Sequence, residues 1–161
     1  HNEIDVVSLS ALFTILAAIL EDPTSEKLSH AEDIYSIGRL MESLNREVIA
    51  EEMYASDCFL SSSEEDLTLS LLSRARIHKR NMNYPEALPL WHQAYSLGSI
   101  EAGLELAKYY EHNAKDYQQA IVITTQLLKQ TKSRTLNEFE QDFVSQLDHR
   151  LNRLHKKNAN G

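Results

Sequence analysis

Three pairs of small residues along this chain share a spacing of twelve or thirteen residues. The second member of each pair recurs after 37 and then 33 residues. A period in that range is typical of stacked helix-turn-helix units, none of which can bury its apolar face alone. Small side chains are needed where two helices approach within about 8–10 Å. The sequence therefore predicts an all-α fold, a short α-solenoid of about three helix hairpins. The pairs are Gly38 and Ala50, Ala75 and Ala87, and Ala107 and Ala120.

The composition agrees with one helical domain. The 161 residues are 42% hydrophobic, which is enough for a core, and they include only four glycines and three prolines. No convincing alternation of apolar and polar residues indicates a sheet. The single cysteine, Cys58, cannot form an internal disulfide, which is typical of a reducing compartment. We therefore expect a cytoplasmic protein.

The segment from Val6 to Leu20 is apolar, but it does not have the pattern of a membrane span or a signal peptide. It is about fifteen residues long, it is interrupted by serine and threonine, and acidic residues flank it. Apolar residues lie almost all round the predicted helix, whereas a surface helix needs only one apolar stripe. We therefore expect a buried helix, with one face on a part of the protein that this sequence lacks, and no contact with a membrane.

Capping residues place the other helices. Ser63 with Asp66 predicts the start of a helix at Glu64, and Asn83 and Asp116 each precede a tyrosine that opens a helix. Thr135 with Glu138 predicts the start of the last helix. The predicted domains are an apolar helix at 1–22 and a repeat domain at 23–161. Within the repeat domain, we expect helices at 25–44, 46–58 and 64–80, repeat units at 25–60, 64–98 and 100–131, and a capping helix at 136–156.

Two segments resemble the second helix of a tetratricopeptide repeat. They read NYPEALPLWHQAYSLGS and KDYQQAIVITTQLL, and a third, LGSIEAGLELAKYYEH, resembles the first helix of that repeat and of its Sel1-like relative. Repeats of this kind bind a peptide or a partner domain in a concave groove. The resemblance implies that Arg39, Arg76 and Lys108, which follow the small residues, face the groove, with Tyr35, Lys79 and His112 beside them. The alternative is that Glu42, Glu105 and Glu111 neutralise these cations in surface ion pairs.

The first sixteen residues, HNEIDVVSLSALFTIL, resemble the last catalytic motif of RNase H-like 3′–5′ exonucleases of the DnaQ superfamily. In bacterial YprB-type members, such a nuclease domain precedes helical repeats. The resemblance implies that Asp5 ligates a divalent metal, Mg²⁺ or Mn²⁺, and that His1 orients the attacking water. Two-metal hydrolysis needs several carboxylates, so we expect no catalysis and no cofactor in this chain alone. The alternative is that both residues belong to an exposed helix end, with His1 a cloning remnant.

Charge is unevenly distributed, which leaves a second function open. Residues 1–66 carry a net charge of −12 and residues 67–161 a net charge of +4. Basic residues at helix ends usually complement the helix dipole, but they can also follow the phosphates of single-stranded nucleic acid and guide it to a parent exonuclease. We therefore consider two functions for this chain. In the first, it is a module that binds a protein or a peptide. In the second, it guides single-stranded nucleic acid to the parent exonuclease. The basic clusters are Arg74, Arg76, Lys79 and Arg80, and Arg150, Arg153, Lys156 and Lys157.

Overall fold

The computed structural model describes residues 14, 17, 18, 21, 22, 28, 30–132 and 138–160. All regular elements in these residues are helical, which confirms the predicted all-α class. The chain divides into two compact units, residues 1–81 and 82–161. The elements are α1 (Ala31–Ser43), α2 (Glu47–Tyr54), a 3₁₀-helix (Asp57–Ser61), α3 (Glu64–Arg80), α4 (Tyr84–Ser96), α5 (Ile100–His112), α6 (Tyr117–Lys132) and α7 (Glu138–Asn160).

The first unit contains a hairpin of α1 and α2, with α3 packed against α2. A tight turn joins α1 to α2, and Asn45 in it has a φ of +58°, a conformation that asparagine tolerates better than most residues. Gly38 on α1 faces the ring of Tyr54 on α2. Ala50 and Ala75 have no exposed surface. The core of this unit is formed by Ile34, Met41, Ala50, Met53, Tyr54, Phe59 and Ile77.

Two helix boundaries in the first unit differ from the sequence prediction. The helix expected at 25–44 begins at Ala31, after His30 in an extended conformation. The helix expected at 46–58 ends at Tyr54, and a 3₁₀-helix follows it. At this junction, the Ser56 hydroxyl accepts a hydrogen bond from the Cys58 amide, 3.4 Å away, and caps the 3₁₀-helix. Ser56 lies two residues after the end of α2, and serine is a common residue at helix caps, so the sequence did contain a signal for this boundary.

The second unit contains four consecutive helices, and each packs against the next in the chain. Ala87, Ala107 and Ala120 are fully buried. A β-carbon on Gly103 of α5 would lie 2.7 Å from Leu127 of α6 and 2.8 Å from Tyr95 of α4, so three helices meet there. Gly103 is not part of the spacing pattern of small residues. Helices α4 and α6 are also joined by a hydrogen bond from the Tyr95 hydroxyl to Gln126 Oε1 at 3.0 Å.

Most predicted helix starts are confirmed. Helix α3 spans the expected residues, and the Ser63 hydroxyl accepts from the Asp66 amide at 3.1 Å. Asp116 caps α6 by accepting from the Gln119 amide at 3.0 Å, whereas Asn83 precedes α4 without a side-chain cap bond. The last helix continues to Asn160, whereas the predicted end was at residue 156. Its predicted cap, Thr135, lies outside the described residues.

The apolar segment at 6–20 is described only in part. Thr14, Ala17, Ala18 and Glu21 are helical, and the Asp22 amide donates to the Ala18 carbonyl at 3.0 Å. The other residues of the segment lie outside the described residues, and so do His1 and Asp5. The described helices include none with the length and the apolar character that a membrane span requires.

Candidate functional site

In the first unit, Glu42 is the centre of a network of charged and aromatic groups. The Tyr54 hydroxyl donates to Glu42 Oε2 at 2.9 Å, and Arg80 Nη2 donates to Glu42 Oε1 at 2.7 Å. Arg76 Nη1 lies 3.9 Å from Glu42 Oε2. Burial and then the hydrogen bond to Glu42 raise the pKa of Tyr54, so its hydroxyl remains a donor. The carboxylate of Glu42 is therefore held between two guanidinium groups.

Tyr35 and Arg39 belong to the same part of the first unit. The Tyr35 and Tyr54 rings are 5.5 Å apart, and the Ser73 hydroxyl of α3 donates to the Tyr35 hydroxyl at 3.4 Å. Arg39 follows Tyr35 by four residues on α1, which places both on one side of that helix. Its side chain is exposed and makes no ion pair with the described residues. We call the surface formed by Tyr35, Arg39, Glu42 and Arg76 the α1–α3 face.

The remaining basic residues of α3 approach acidic residues of α2. Arg74 Nε donates to Glu51 Oε1 at 2.9 Å, and His78 Nε2 lies 3.7 Å from the same oxygen. Arg80 Nη2 lies 3.0 Å from Glu47 Oε1. Lys79 is half-buried. The basic cluster of α3 is therefore largely charge-balanced within its own unit.

In the second unit, three basic residues of α7 converge on one carboxylate of α5. Arg153 contacts Glu111 with both Nε (2.8 Å) and Nη2 (2.9 Å), a bidentate geometry. Arg150 Nη1 donates to Glu111 Oε2 at 3.0 Å, and Lys157 Nζ donates to Oε1 at 2.8 Å. His112 Nε2 lies 3.6 Å from Oε2. We call these five residues the Glu111 cluster.

The electrostatics of the Glu111 cluster follow from its burial. The Glu111 side chain has no exposed surface. Burial alone would raise the pKa of this carboxyl, but hydrogen bonds from Arg153 and Lys157 outweigh it and lower the pKa to about 2. Burial also lowers the pKa of Arg150. Glu111 is therefore ionised at any physiological pH and joins α5 to α7.

The residues predicted to line one groove are divided between the two units. In the first unit, Tyr35 and Arg39 lie about one turn apart on α1, and Arg76 of α3 approaches Glu42 of α1. In the second unit, His112 joins the Glu111 cluster, and Lys108 donates to Glu105 at 2.7 Å. Two of the carboxylates that we expect as alternative partners, Glu42 and Glu105, pair with Arg76 and Lys108. The third, Glu111, pairs with His112 and with basic residues of α7.

Among the basic residues predicted near the end of the chain, Arg150, Arg153 and Lys157 converge on Glu111, whereas Lys156 is exposed. His1 and Asp5 lie outside the described residues. Within the described ranges, no group of three or more His, Cys, Asp or Glu side chains could hold a metal ion.

An aromatic group in the second unit was not predicted from the sequence. The Tyr84 and Tyr109 rings are 5.2 Å apart, and the Tyr109 and Tyr110 rings are 5.5 Å apart. His92 Nε2 lies 3.1 Å from the Tyr110 hydroxyl. Tyr109 and Tyr110 are adjacent in α5, and this pair was the only sign of the aromatic group in the sequence pattern of that helix. Tyr84 and His92 come from α4, and their place in the group depends on how the two helices pack. We call Tyr84, His92, Tyr109 and Tyr110 the tyrosine cluster.

The fold and these surfaces define a class: an all-helical protein whose described residues carry charged and aromatic surfaces. The chain is similar to the Uncharacterized protein YprB of Bacillus subtilis (strain 168), with 25% identity over 161 residues. The match covers 98% of this chain and 37% of that protein, so the chain spans little more than a third of its relative. No protein-family model and no solved structure matches this sequence.

Proposed function

We propose that this chain is a tetratricopeptide-like interaction module that binds an acidic peptide segment or a partner domain on its α1–α3 face. The observation that carries the proposal is the fixed position of Glu42. Because Tyr54 and two arginines hold this carboxylate, the charged groups around it are ordered before a partner arrives. Ordered side chains lose less conformational entropy on binding, which favours affinity.

Arg39 supplies the group that a partner would contact first. Its side chain is exposed, one helical turn after the half-buried Tyr35, so a ligand carboxylate could accept a bidentate pair of hydrogen bonds from it. Arginine and tyrosine are also the residues most often found at the energetic centres of protein interfaces. A charge-balanced surface of this kind suits a protein partner better than a polyphosphate chain.

For a longer protein that contains this chain, we propose the activity implied by the resemblance of residues 1–16, a metal-dependent 3′–5′ exonuclease. Asp5 would then contribute to binding Mg²⁺ or Mn²⁺ and His1 would orient water. The module itself would perform no catalysis and would hold a partner near the nuclease. A cytoplasmic location is part of this proposal.

A peptide-selection experiment tests the binding proposal. Peptides from a random display library are selected on the immobilised chain, and their affinities are measured by fluorescence anisotropy. We expect acidic peptides, with Arg39→Glu weakening their binding at least about tenfold, because it replaces a charged hydrogen-bond donor with a repelling carboxylate. Lys129→Glu is the matched control, since Lys129 is an exposed cation of the second unit. Selection of no peptide, or equal losses in the two variants, would contradict the proposal.

A further inference from the structure

We propose that the Glu111 cluster in the second unit is a binding site for single-stranded nucleic acid, and that its cations contact backbone phosphates. The site is distinct from the α1–α3 face, and the two proposals stand or fall separately. Its support comes from a surplus of positive charge, from the accessibility of the cations, and from aromatic rings in the same unit.

The charge surplus follows from the stoichiometry of the cluster. Three permanent cations, Arg150, Arg153 and Lys157, share the single negative charge of Glu111, which leaves a net charge of +2 before His112 is counted. The charge of Glu105 also acts on Arg150, but Glu105 is paired with Lys108, so that pair adds no net charge. Residues 149–160 include four basic residues and no acidic one, so helix α7 supplies no further counter-charge there. Phosphate oxygens are the ligands that such a surplus attracts.

Accessibility separates the cations from their internal counter-ion. The Glu111 side chain has no exposed surface, whereas the side chains of Arg153 and Lys157 are 49% and 37% exposed. An anionic ligand can therefore reach the cations without meeting the carboxylate. The carboxylate holds the charged groups of Arg153 and Lys157 in place through hydrogen bonds. The cations are therefore positioned on α7 before a ligand binds.

Aromatic groups in the same unit favour nucleic acid over other phosphate-bearing ligands. The Lys157 ammonium lies 5.8 Å from the centre of the Tyr117 ring, which is half-buried at the start of α6. The tyrosine cluster on α4 and α5 adds further half-buried rings. Binding of single strands commonly combines a positive surface with rings on which bases stack, each worth about 1–3 kcal/mol by alanine substitution.

The test compares two neighbouring lysines. Lys157 contacts Glu111, whereas Lys156 is exposed and lies about 100° away around the helix. Fluorescein-labelled dT12 is titrated with the whole chain at 50 and 200 mM NaCl, using wild type, Lys157→Gln and Lys156→Gln. Each variant removes one charge from the same turn. Circular dichroism melting identifies any variant that has lost its fold, and His112→Gln, at a largely exposed residue, provides a second test of the cluster.

We expect wild-type affinity to fall about sevenfold to twentyfold between the two salt concentrations, as for two or three phosphate contacts on a single strand. Lys157→Gln should weaken binding at 50 mM about fivefold to tenfold and reduce the salt slope by about 0.7. Lys156→Gln should change affinity less than about twofold. Absence of binding at 50 mM, or equal losses in both variants, would overturn the proposal.

A phosphoserine peptide and inorganic pyrophosphate are the remaining probes. We expect both to bind more weakly than dT12, because neither can stack on the aromatic rings. A phosphopeptide that binds at least as tightly as dT12 would assign the cluster to a phosphorylated protein and would overturn the nucleic-acid assignment. None of these outcomes depends on peptide binding at the α1–α3 face.

Discussion

Gly38 faces the ring of Tyr54 at a distance that leaves no room for a side chain. A β-carbon at this position would lie 2.6 Å from Tyr54 Cε1. The ring has little freedom to move, because its hydroxyl donates to Glu42 and its centre lies 5.5 Å from that of the Tyr35 ring. The same ring therefore connects helix packing in the first unit to the charged groups of the α1–α3 face.

Gly38→Ala should lower the free energy of unfolding. Overpacking of a filled site typically costs about 1–3 kcal/mol, and the gain in helix propensity of about 1 kcal/mol offsets only part of it. We expect the free energy of unfolding, measured in urea, to fall by about 1 kcal/mol. Displacement of the Tyr54 ring should also weaken its hydrogen bond to Glu42 on the α1–α3 face. Ser36→Ala, on an exposed position of the same helix, is the control. An unchanged or more stable Gly38→Ala variant would contradict the close contact.

At this scale the sequence was informative about small residues. The alanines chosen by their spacing have no exposed surface in either unit, because helices in contact exclude larger side chains there. Gly103 was missed, since its role depends on the simultaneous approach of Leu127 and Tyr95. Contacts between three helices are not encoded in a local pattern.

Two helices of the second unit start with equivalent sequences and different caps. Asp116 accepts a hydrogen bond from the Gln119 amide, whereas Asn83 makes no side-chain cap bond before α4. Pro85 in the first turn of α4 removes one of the amide groups that a cap would otherwise satisfy. The two positions thus form a natural comparison of helix-capping energy.

Asp116→Ala should destabilise the second unit by about 1 kcal/mol, because an orphan amide loses its partner and a negative charge leaves the helix start. Asn83→Ala should cost less than about 0.5 kcal/mol. Urea unfolding followed by the fluorescence of the buried Trp91 in the same unit measures both. Equal costs at the two positions would show that the cap bond at Asp116 contributes nothing.

Helix existence was therefore predictable from local sequence, but helix ends were less so. Ser63 and Asp116 announce their helices through side-chain chemistry that acts over three residues. The early end of α2 lies next to Ser56, whose hydroxyl caps the following 3₁₀-helix, and the apolar pattern alone does not reveal it.

Across the whole chain, the contacts that order the charged surfaces join residues that are far apart in sequence. Glu111 meets basic residues 39 to 46 positions later, and Glu42 meets Arg80 38 positions later. The sequence marks these residues as basic clusters or as neutralising acids. Their pairing is not visible in it, because the pairing depends on how helices that are distant in sequence pack together. His1 and Asp5 lie outside the described residues, so the metal-binding motif stays a prediction.

Acid should destabilise the protein through Glu111. Its pKa falls from 4.5 to about 2 on folding, so the unfolded chain binds a proton more readily than the folded one. The ion-paired carboxylate therefore stabilises the fold fully above about pH 5, and this contribution, about 3 kcal/mol, is lost as the pH falls towards 2. In Glu111→Gln this part of the pH dependence should be absent, and the variant should already be less stable at pH 7.

If the buried carboxylate of Glu111 orders the cations of the second unit, those cations must hold its pKa well below the ordinary value for glutamate. The measurement is a pH titration of the side-chain carboxyl carbon by ¹³C NMR on the whole chain. We expect a pKa of about 2 for Glu111. A pKa at or above the ordinary value of 4.5 would contradict this arrangement, because the carboxylate would then lack the cations placed around it.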